Sequence, residues 1–212
     1  MKPKNYYPSP TEETYSELQL AYDHFNNTLF NQKLPYCLIT FQRHGRYYGY
    51  FSPKRFKHRN ENKTTDEIAI NPDHINKVDI TTVLSILVHE MVHLQQSHFG
   101  SPSRAGYHNK EWAIMIESIG LIPSDTGNPG GNKTGQAMSH YIESNGLFDQ
   151  SCRQLLDQGF KLSWGDRFGQ KEQKRKNGRI KYTCPICRLN AWAKPDALLQ
   201  CGECQEILSI NA

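Results

Sequence analysis

No stretch of this 212-residue chain approaches the about eighteen consecutive apolar residues of a membrane-spanning helix. The best run, Val83–Val92, is interrupted by Ser85, His89 and Glu90. The opening Met1-Lys-Pro-Lys-Asn-Tyr-Tyr has no apolar core of the kind a secretory leader carries. No internal repeat is found. Acidic charge is scarce in two places. Between Arg43 and Lys63, seven Lys/Arg stand against the single Glu61, and between Lys161 and Lys181 eight stand against Asp166 and Glu172. These absences predict a cytoplasmic protein with no membrane partner, nucleoid-associated if its basic stretches bind DNA. Disulfides are not expected in such a reducing compartment.

The remaining composition is that of a globular chain. Apolar residues make up 37%, charged residues 22%, and the mean hydropathy of -0.71 predicts long exposed loops. The length suits one well-packed domain plus a small appendage. A net charge of +4 is by itself weak evidence for a nucleic-acid partner.

Along the chain, apolar residues at Tyr15, Leu18, Ala21/Tyr22, Phe25 and Leu29 predict an amphipathic helix over Thr11–Asn31, ended by Pro35. Tyr36–Arg43 and Tyr47–Phe51 read as strands around a turn at Gly45, and Glu67–Ile70 as a third closed by Asn71-Pro72. Asp79 is an N-cap for a long helix over Ile80–Phe99, which Gly100 stops. A second helix is expected over about Asn109–Ile119, then a loop over Pro123–Gly135. Gln136–Phe148 reads ambiguously, with some strand character, and Ser151–Gln158 as a short helix. The expected domains are 1–160, a basic linker over 161–181 and a small module over 182–212.

The long helix contains His89-Glu90-Met91-Val92-His93. Residues four apart stand one turn above each other, so two imidazoles can reach one ion. Glu90 points to a neighbouring side, where it can serve as general base toward a zinc-bound water without ligating the metal. The competing reading is a chance match on a helix surface. The flanking Val83, Leu84, Leu87, Val88, Met91 and Val92 disfavour it, because a buried helix must satisfy the polar groups it carries inward.

A catalytic zinc takes a third protein ligand and keeps a fourth position open. His98 lies about 140° round the helix from His93 and is expected to be a solvated end residue. His108 follows a glycine-containing loop and opens the next helix, which makes it the expected third ligand, with His140 in reserve. His24, His44, His58 and His74 sit on other elements and read as surface or hydrogen-bonded residues.

With this motif followed by Gly106-Tyr-His108-Asn-Lys-Glu-Trp112, the sequence resembles the SprT-like metalloprotease family, which includes the Spartan proteases. The likeness extends to the opening helix, Leu34-Pro35, Gly49 and Asp66–Pro72. It implies a zincin-like α+β domain of helices packed on a small sheet, with zinc held by His89, His93 and His108. Its best-known members are DNA-dependent proteases that degrade proteins crosslinked to DNA. Asn109 departs from the glycine that many members carry there. The segment from Pro123 to Ile142 resembles a bacterial, phage or plasmid subgroup.

Near the C-terminus, Cys184-Pro-Ile-Cys187 and Cys201-Gly-Glu-Cys204 are separated by thirteen residues. Two such knuckles supply four thiolates in a tetrahedron, a closed structural zinc ribbon, with Trp192 expected beneath the metal. A thioredoxin-like reading would need a βαβ context that is missing. Cys37 and Cys152 read as ordinary buried residues. The cofactor expectation is therefore two Zn2+, one catalytic and one structural.

The stretch from Arg43 to Arg59 interleaves cations with aromatic side chains, a combination that suits single-stranded DNA. Its bland alternative is a solvated hairpin whose rings face the core. Function is expected to be zinc-dependent peptide hydrolysis of DNA-bound or DNA-crosslinked protein. The alternatives are a non-catalytic nucleic-acid-binding module and a peptidase acting on ordinary soluble protein. Tyr107 and Tyr141 are the candidate oxyanion stabilisers.

Overall fold

The computed structural model describes residues 7–43, 45, 47–167 and 179–210. The chain divides into two compact units, Met1–Gly169 and Gln170–Ala212. Much of the basic linker, including Lys174, Arg175 and Lys176, lies outside the described residues, as does His44.

The first unit opens with α1 (Pro10–Leu29). Ser9 caps it by accepting from the Glu12 N–H, and Pro10 occupies the first turn, where a missing N–H costs nothing. Thr14, Leu18, Ala21, Tyr22 and Phe25 are buried at the spacing of one helical face. The helix stops six residues before Pro35. Asn31 and Gln32 adopt left-handed backbone (φ 54° and 58°), and the Asn26 amide bonds both the N–H and the carbonyl of Leu34 at 3.1 Å. A side chain inside the helix, rather than the proline beyond it, reverses the chain.

Three strands follow: β1 (Leu38–Phe41), β2 (Gly49–Lys57) and β3 (Thr64–Ile70). β3 is central, parallel to β1 and antiparallel to β2. β2 runs past the expected end at Phe51. A bulge between Ser52 and Phe56 absorbs Pro53, Lys54 turns left-handed, and its N–H bonds Asp66 Oδ1 at 2.6 Å before pairing resumes. Asn71-Pro72 does not merely close β3 but starts a short helix, α2 (Pro72–Ile75), capped by the Asn71 side chain.

α3 (Ile80–Phe99) has the expected bounds. The Asp79 carboxylate accepts from both the N–H and the hydroxyl of Thr82, and Gly100 takes the C-cap. α4 (Lys110–Ser118) is followed by an unexpected strand, β4 (Leu121–Ser124), which pairs antiparallel with β5 (Ser139–Ile142). α5 (Leu147–Asp157) begins earlier than expected and stacks Phe148 on Phe25, ring centroids 5.6 Å apart. Phe25, Val88, Met91, Val92, Trp112 and Phe148 share one core between helices and sheet. The architecture is mixed α+β. No helix among the described residues is long and apolar enough to cross a membrane.

The second unit is a small antiparallel sheet of β6 (Ile180–Thr183), β7 (Asn190–Ala193) and β8 (Ser209–Ile210), ordered β7-β6-β8. Its core comprises Tyr182, Cys184, Cys201 and Leu208. Trp192 is not beneath the cysteines. It stands opposite Lys181 on the outer side of the sheet and is 60% exposed. Tyr182 is the buried aromatic instead, because its hydroxyl donates to the Lys194 carbonyl and accepts from the Ala197 N–H. Cys152 is buried, as expected, but Cys37 is only half-buried, just before β1.

The assignment of the α1 face is testable by denaturation. Phe25→Ala should cost about 3–5 kcal/mol of the first unit's stability, since it empties a fully buried aromatic site. Leu20→Ala on the outer face should change it by less than about 0.5 kcal/mol. Equal losses in urea titrations of the two variants would mean that α1 buries another face.

Candidate metal centre

α3 carries His89, Glu90 and His93 on the part of its surface that meets β2 and α4; His89 and Glu90 are buried. His108 stands just before α4 and is buried as well. A backbone bridge to Gly135 holds it there: the His108 N–H donates to the Gly135 carbonyl at 2.8 Å, and the Gly135 N–H donates back at 3.1 Å. The same carbonyl lies 3.2 Å from His108 Nδ1, so that nitrogen carries the proton and Nε2 is left with its lone pair. Nε2 of His108 faces Nε2 of His93 at 3.0 Å, and one ligand atom from each of His89, His93 and His108 falls within a 4.8 Å group.

Trp112 is the floor of the site. Its ring lies 4.9 Å from that of His89, 5.2 Å from His93 and 4.3 Å from His108, and it is completely buried. The departure at position 109 has a structural account. The Asn109 side-chain oxygen caps α4 through the Trp112 N–H and accepts from Gln96 of α3, while its amide donates to the Ser101 carbonyl. One residue thus ties the third histidine's helix to the helix that carries the other two.

Gly49 on β2 lies close against Glu90. A Cβ there would stand 2.9 Å from the Ala69 carbonyl oxygen, 3.0 Å from Ile86 Cγ2 and 3.3 Å from Glu90 Oε1. Hydrogen alone fits at this position. Burial pushes the Glu90 carboxyl up to about 8, and it pushes His93 down to about 3 and His89 well below its usual value. Low dielectric therefore keeps the imidazoles neutral, with lone pairs directed inward, and by itself would keep the carboxyl protonated.

A dication resolves both effects, since it takes neutral imidazoles as ligands and favours the carboxylate beside it. Tetrahedral nitrogen ligands of zinc stand roughly 3.4 Å apart, close to the spacing of His93 and His108. The residues fit zinc.

The other histidines are elsewhere. His98 is more than a solvated end residue, because its Nε2 pairs with the buried Asp66 at 2.7 Å. His24 bonds Ser151, His58 lies 3.7 Å from Glu61, and the His74 ring lies tilted against that of Tyr48, centroids 4.1 Å apart. His140 is not in the converging group but touches it, with Nδ1 3.1 Å from His89 Nδ1. Residues alternate along a strand, so Tyr141 turns to the side of β5 opposite His140. Tyr107 lies against Arg104. Gly135, Gln96 and Trp112's contact with all three rings carried no sequence signal as partners, although an Asn just before a helix is an N-cap signal.

In the second unit, Cys184, Cys187, Cys201 and Cys204 form the other group among the described residues that can hold a metal ion. The Cys187 and Cys201 sulfurs are 3.6 Å apart. The backbone N–H of Cys187, and then that of Ile186, lower the Cys184 thiol to about 7. Cys187 and the other sulfurs push Cys204 up to about 12. Four thiolates cannot coexist at this distance without a cation, and a tetrahedral metal ion supplies one.

An α+β unit that gathers three histidines and a carboxyl around one helix and the start of the next is compatible with a metallopeptidase-type domain. The family model described as SprT-like matches residues 18–129, and the chain belongs to the SprT-like family. A protein of Salmonella typhimurium described as "Uncharacterized protein in mucB 3'region" is 61% identical over 59 residues, which cover 28% of this chain and 80% of that one. No solved structure matches.

The buried imidazoles predict how metal-free protein responds to acid. Histidine in an unfolded chain titrates near 6.5, whereas His89, His93 and His140 (held down to about 4) stay neutral when folded. Glu90 works the other way, holding a proton up to about 8 that the unfolded carboxyl has lost. By pH 5 the unfolded chain thus holds about two net protons more than the folded one from these four groups, and the lowered His108 adds to that excess. Stability of chelator-stripped protein should fall by roughly 2 kcal/mol per pH unit as the pH drops from about 6.5 to about 5. A flat urea midpoint across that window would mean that the imidazoles are solvated.

Proposed function

We propose that this chain is a zinc-dependent endopeptidase with a zincin-like catalytic unit. His89, His93 and His108 hold the catalytic zinc, Glu90 is the general base, and a structural zinc sits among Cys184, Cys187, Cys201 and Cys204. The observation that carries the reading is the convergence of three neutral imidazoles, two buried and one half-buried, beside the buried carboxyl of Glu90. A purely structural histidine site has no use for that carboxyl. Zinc, when bound, supplies the positive charge that polarises a peptide carbonyl and makes water acidic enough to attack near neutral pH.

Glu90 accepts the proton of the attacking water and delivers it to the departing amine nitrogen. Trp112 holds the imidazoles in register, and Gly49 leaves room for the carboxylate.

DNA-bound protein is the proposed substrate class, with single-stranded DNA as tether. Supporting this, Lys54, Arg55, Lys57 and Arg59 are all exposed along the end of β2 and its turn, beside the partly exposed Phe56. Not every cation of that stretch is available. Arg43 is held by Asp166 at 2.6 Å and Asp73 at 3.3 Å, and Phe51 packs against the core.

Two measurements test this reading. Elemental analysis should find two zinc per chain, with Cys184→Ser losing one and His108→Ala the other. Glu90→Gln should keep both while proteolysis of a basic DNA-binding protein falls about 10²–10⁴-fold. Unchanged cleavage by Glu90→Gln would remove Glu90 from the mechanism and leave a non-catalytic nucleic-acid-binding module as the better reading. For DNA, affinity for single strands should fall with salt, with a log–log slope of roughly -0.7 per phosphate contact. The triple change Lys54→Ala, Arg55→Ala, Lys57→Ala should flatten that slope by about two. Salt-independent or absent binding would point to an ordinary soluble protein as substrate.

A further inference from the structure

The His140 side chain lies between two polar groups of α3. Its Nε2 is 2.9 Å from Ser85 Oγ and its Nδ1 is 3.1 Å from His89 Nδ1. A hydroxyl has one proton, and that of Ser85 goes to the Thr82 carbonyl at 2.8 Å. Ser85 Oγ is therefore an acceptor toward His140, whose proton must sit on Nε2. A neutral imidazole carries one N–H, so His140 Nδ1 is left with a lone pair. The hydrogen bond to His89 then has His89 Nδ1–H as donor, and the lone pair of His89 is confined to Nε2.

We infer that His140 is a positioning residue: through Ser85 it sets the tautomer and ring orientation in which His89 presents Nε2 to the metal. His108 is set the same way by a different partner, the Gly135 carbonyl. Metal-ligating imidazoles regularly donate their second N–H to such an outer partner, which is usually a carboxylate, a carbonyl or water. Here it is a second imidazole, oriented in turn by a helix hydroxyl. Both ring nitrogens of His140 are engaged in this chain of bonds, so it is not itself a ligand. Its residue lies beyond the 18–129 segment matched by the family model, on the strand β5 that pairs with β4.

This inference rests on the metal-site reading above, and the test separates the two. Zinc affinity of the full chain is measured by graded chelator competition, with the cysteine site as internal reference. His140→Phe fills the ring's space but accepts no hydrogen bond, and it should weaken the histidine site about 10–100-fold while the cysteine site is unchanged. His140→Asn places an amide oxygen near the former Nδ1 and should keep most of the parent's affinity. ¹⁵N spectra of the zinc-loaded parent should show His89 protonated at Nδ1. Parent-like affinity in His140→Phe overturns the inference, as does an equal loss in the Phe and Asn variants. A changed visible spectrum of cobalt-substituted His140→Asn would make His140 a ligand and overturn it too. Should His140→Phe fail to fold, Ser85→Ala decides: it should weaken zinc binding and mix the His140 tautomers, and an unchanged affinity and spectrum would overturn the relay. A parent chain with zinc only at its cysteines would instead sink the metal-site reading itself.

Discussion

The first unit is organised around one cost: three imidazoles and a carboxyl, carried by α3 and the residue just before the α4 cap, drawn largely out of water. Isolated polar groups do not survive such burial, so each is either hydrogen-bonded or offered to a cation. Val83, Leu84, Leu87, Val88 and Met91 bury α3 against the sheet and α1. The polar residues of the same helix are thereby forced to find partners within reach. Ser85 finds the Thr82 carbonyl, Gln96 finds Asn109 and Glu111, and His89 finds His140. Apart from Gln95 Oε1, what α3 turns toward His108 is a set of inward lone pairs and one carboxyl, which is the chemistry of a metal site.

Several elements with little apolar area of their own are explained by that cost. The β4–β5 pair is only four residues long on each side, yet it delivers His140 to His89. The 125–135 loop has few core residues, yet its last glycine fixes the proton of His108. Asn109 stands where a glycine would leave α4 uncapped and unlinked to α3, and its three hydrogen bonds set the angle at which His108 and Trp112 meet the other rings. The second unit meets the same problem at smaller scale. Its buried apolar set among the described residues is one tyrosine, two cysteines and one leucine, too little apolar surface to hold three short strands without a crosslink.

How much could be read in advance depended on whether a signal was local. Ile80–Phe99 was legible to the residue because its cap, its apolar period and its terminating glycine all lie within the helix and next to it. The HExxH pair and the two CxxC pairs were legible for the same reason, since helical and knuckle geometry place nearby residues together without help from the rest of the chain. The continuation of β2 through Pro53 was not, because a bulge depends on the partner strand and on Asp66. The end of α1 was missed because Asn26 reaches eight residues ahead to Leu34.

The sequence by itself determined the metal-binding residue types, their spacing, the helix that carries His89 and His93, and membership of the SprT-like family. Only the tertiary structure decided that His108 converges with them while His140 stands behind His89, that Tyr141 turns to the side of β5 opposite His140, and that Tyr182 rather than Trp192 is buried among the cysteines. The reason is physical. Periodicity says which side of an element is apolar, but the partner of a buried polar atom is chosen by distance across elements, and that distance exists only once the chain has folded.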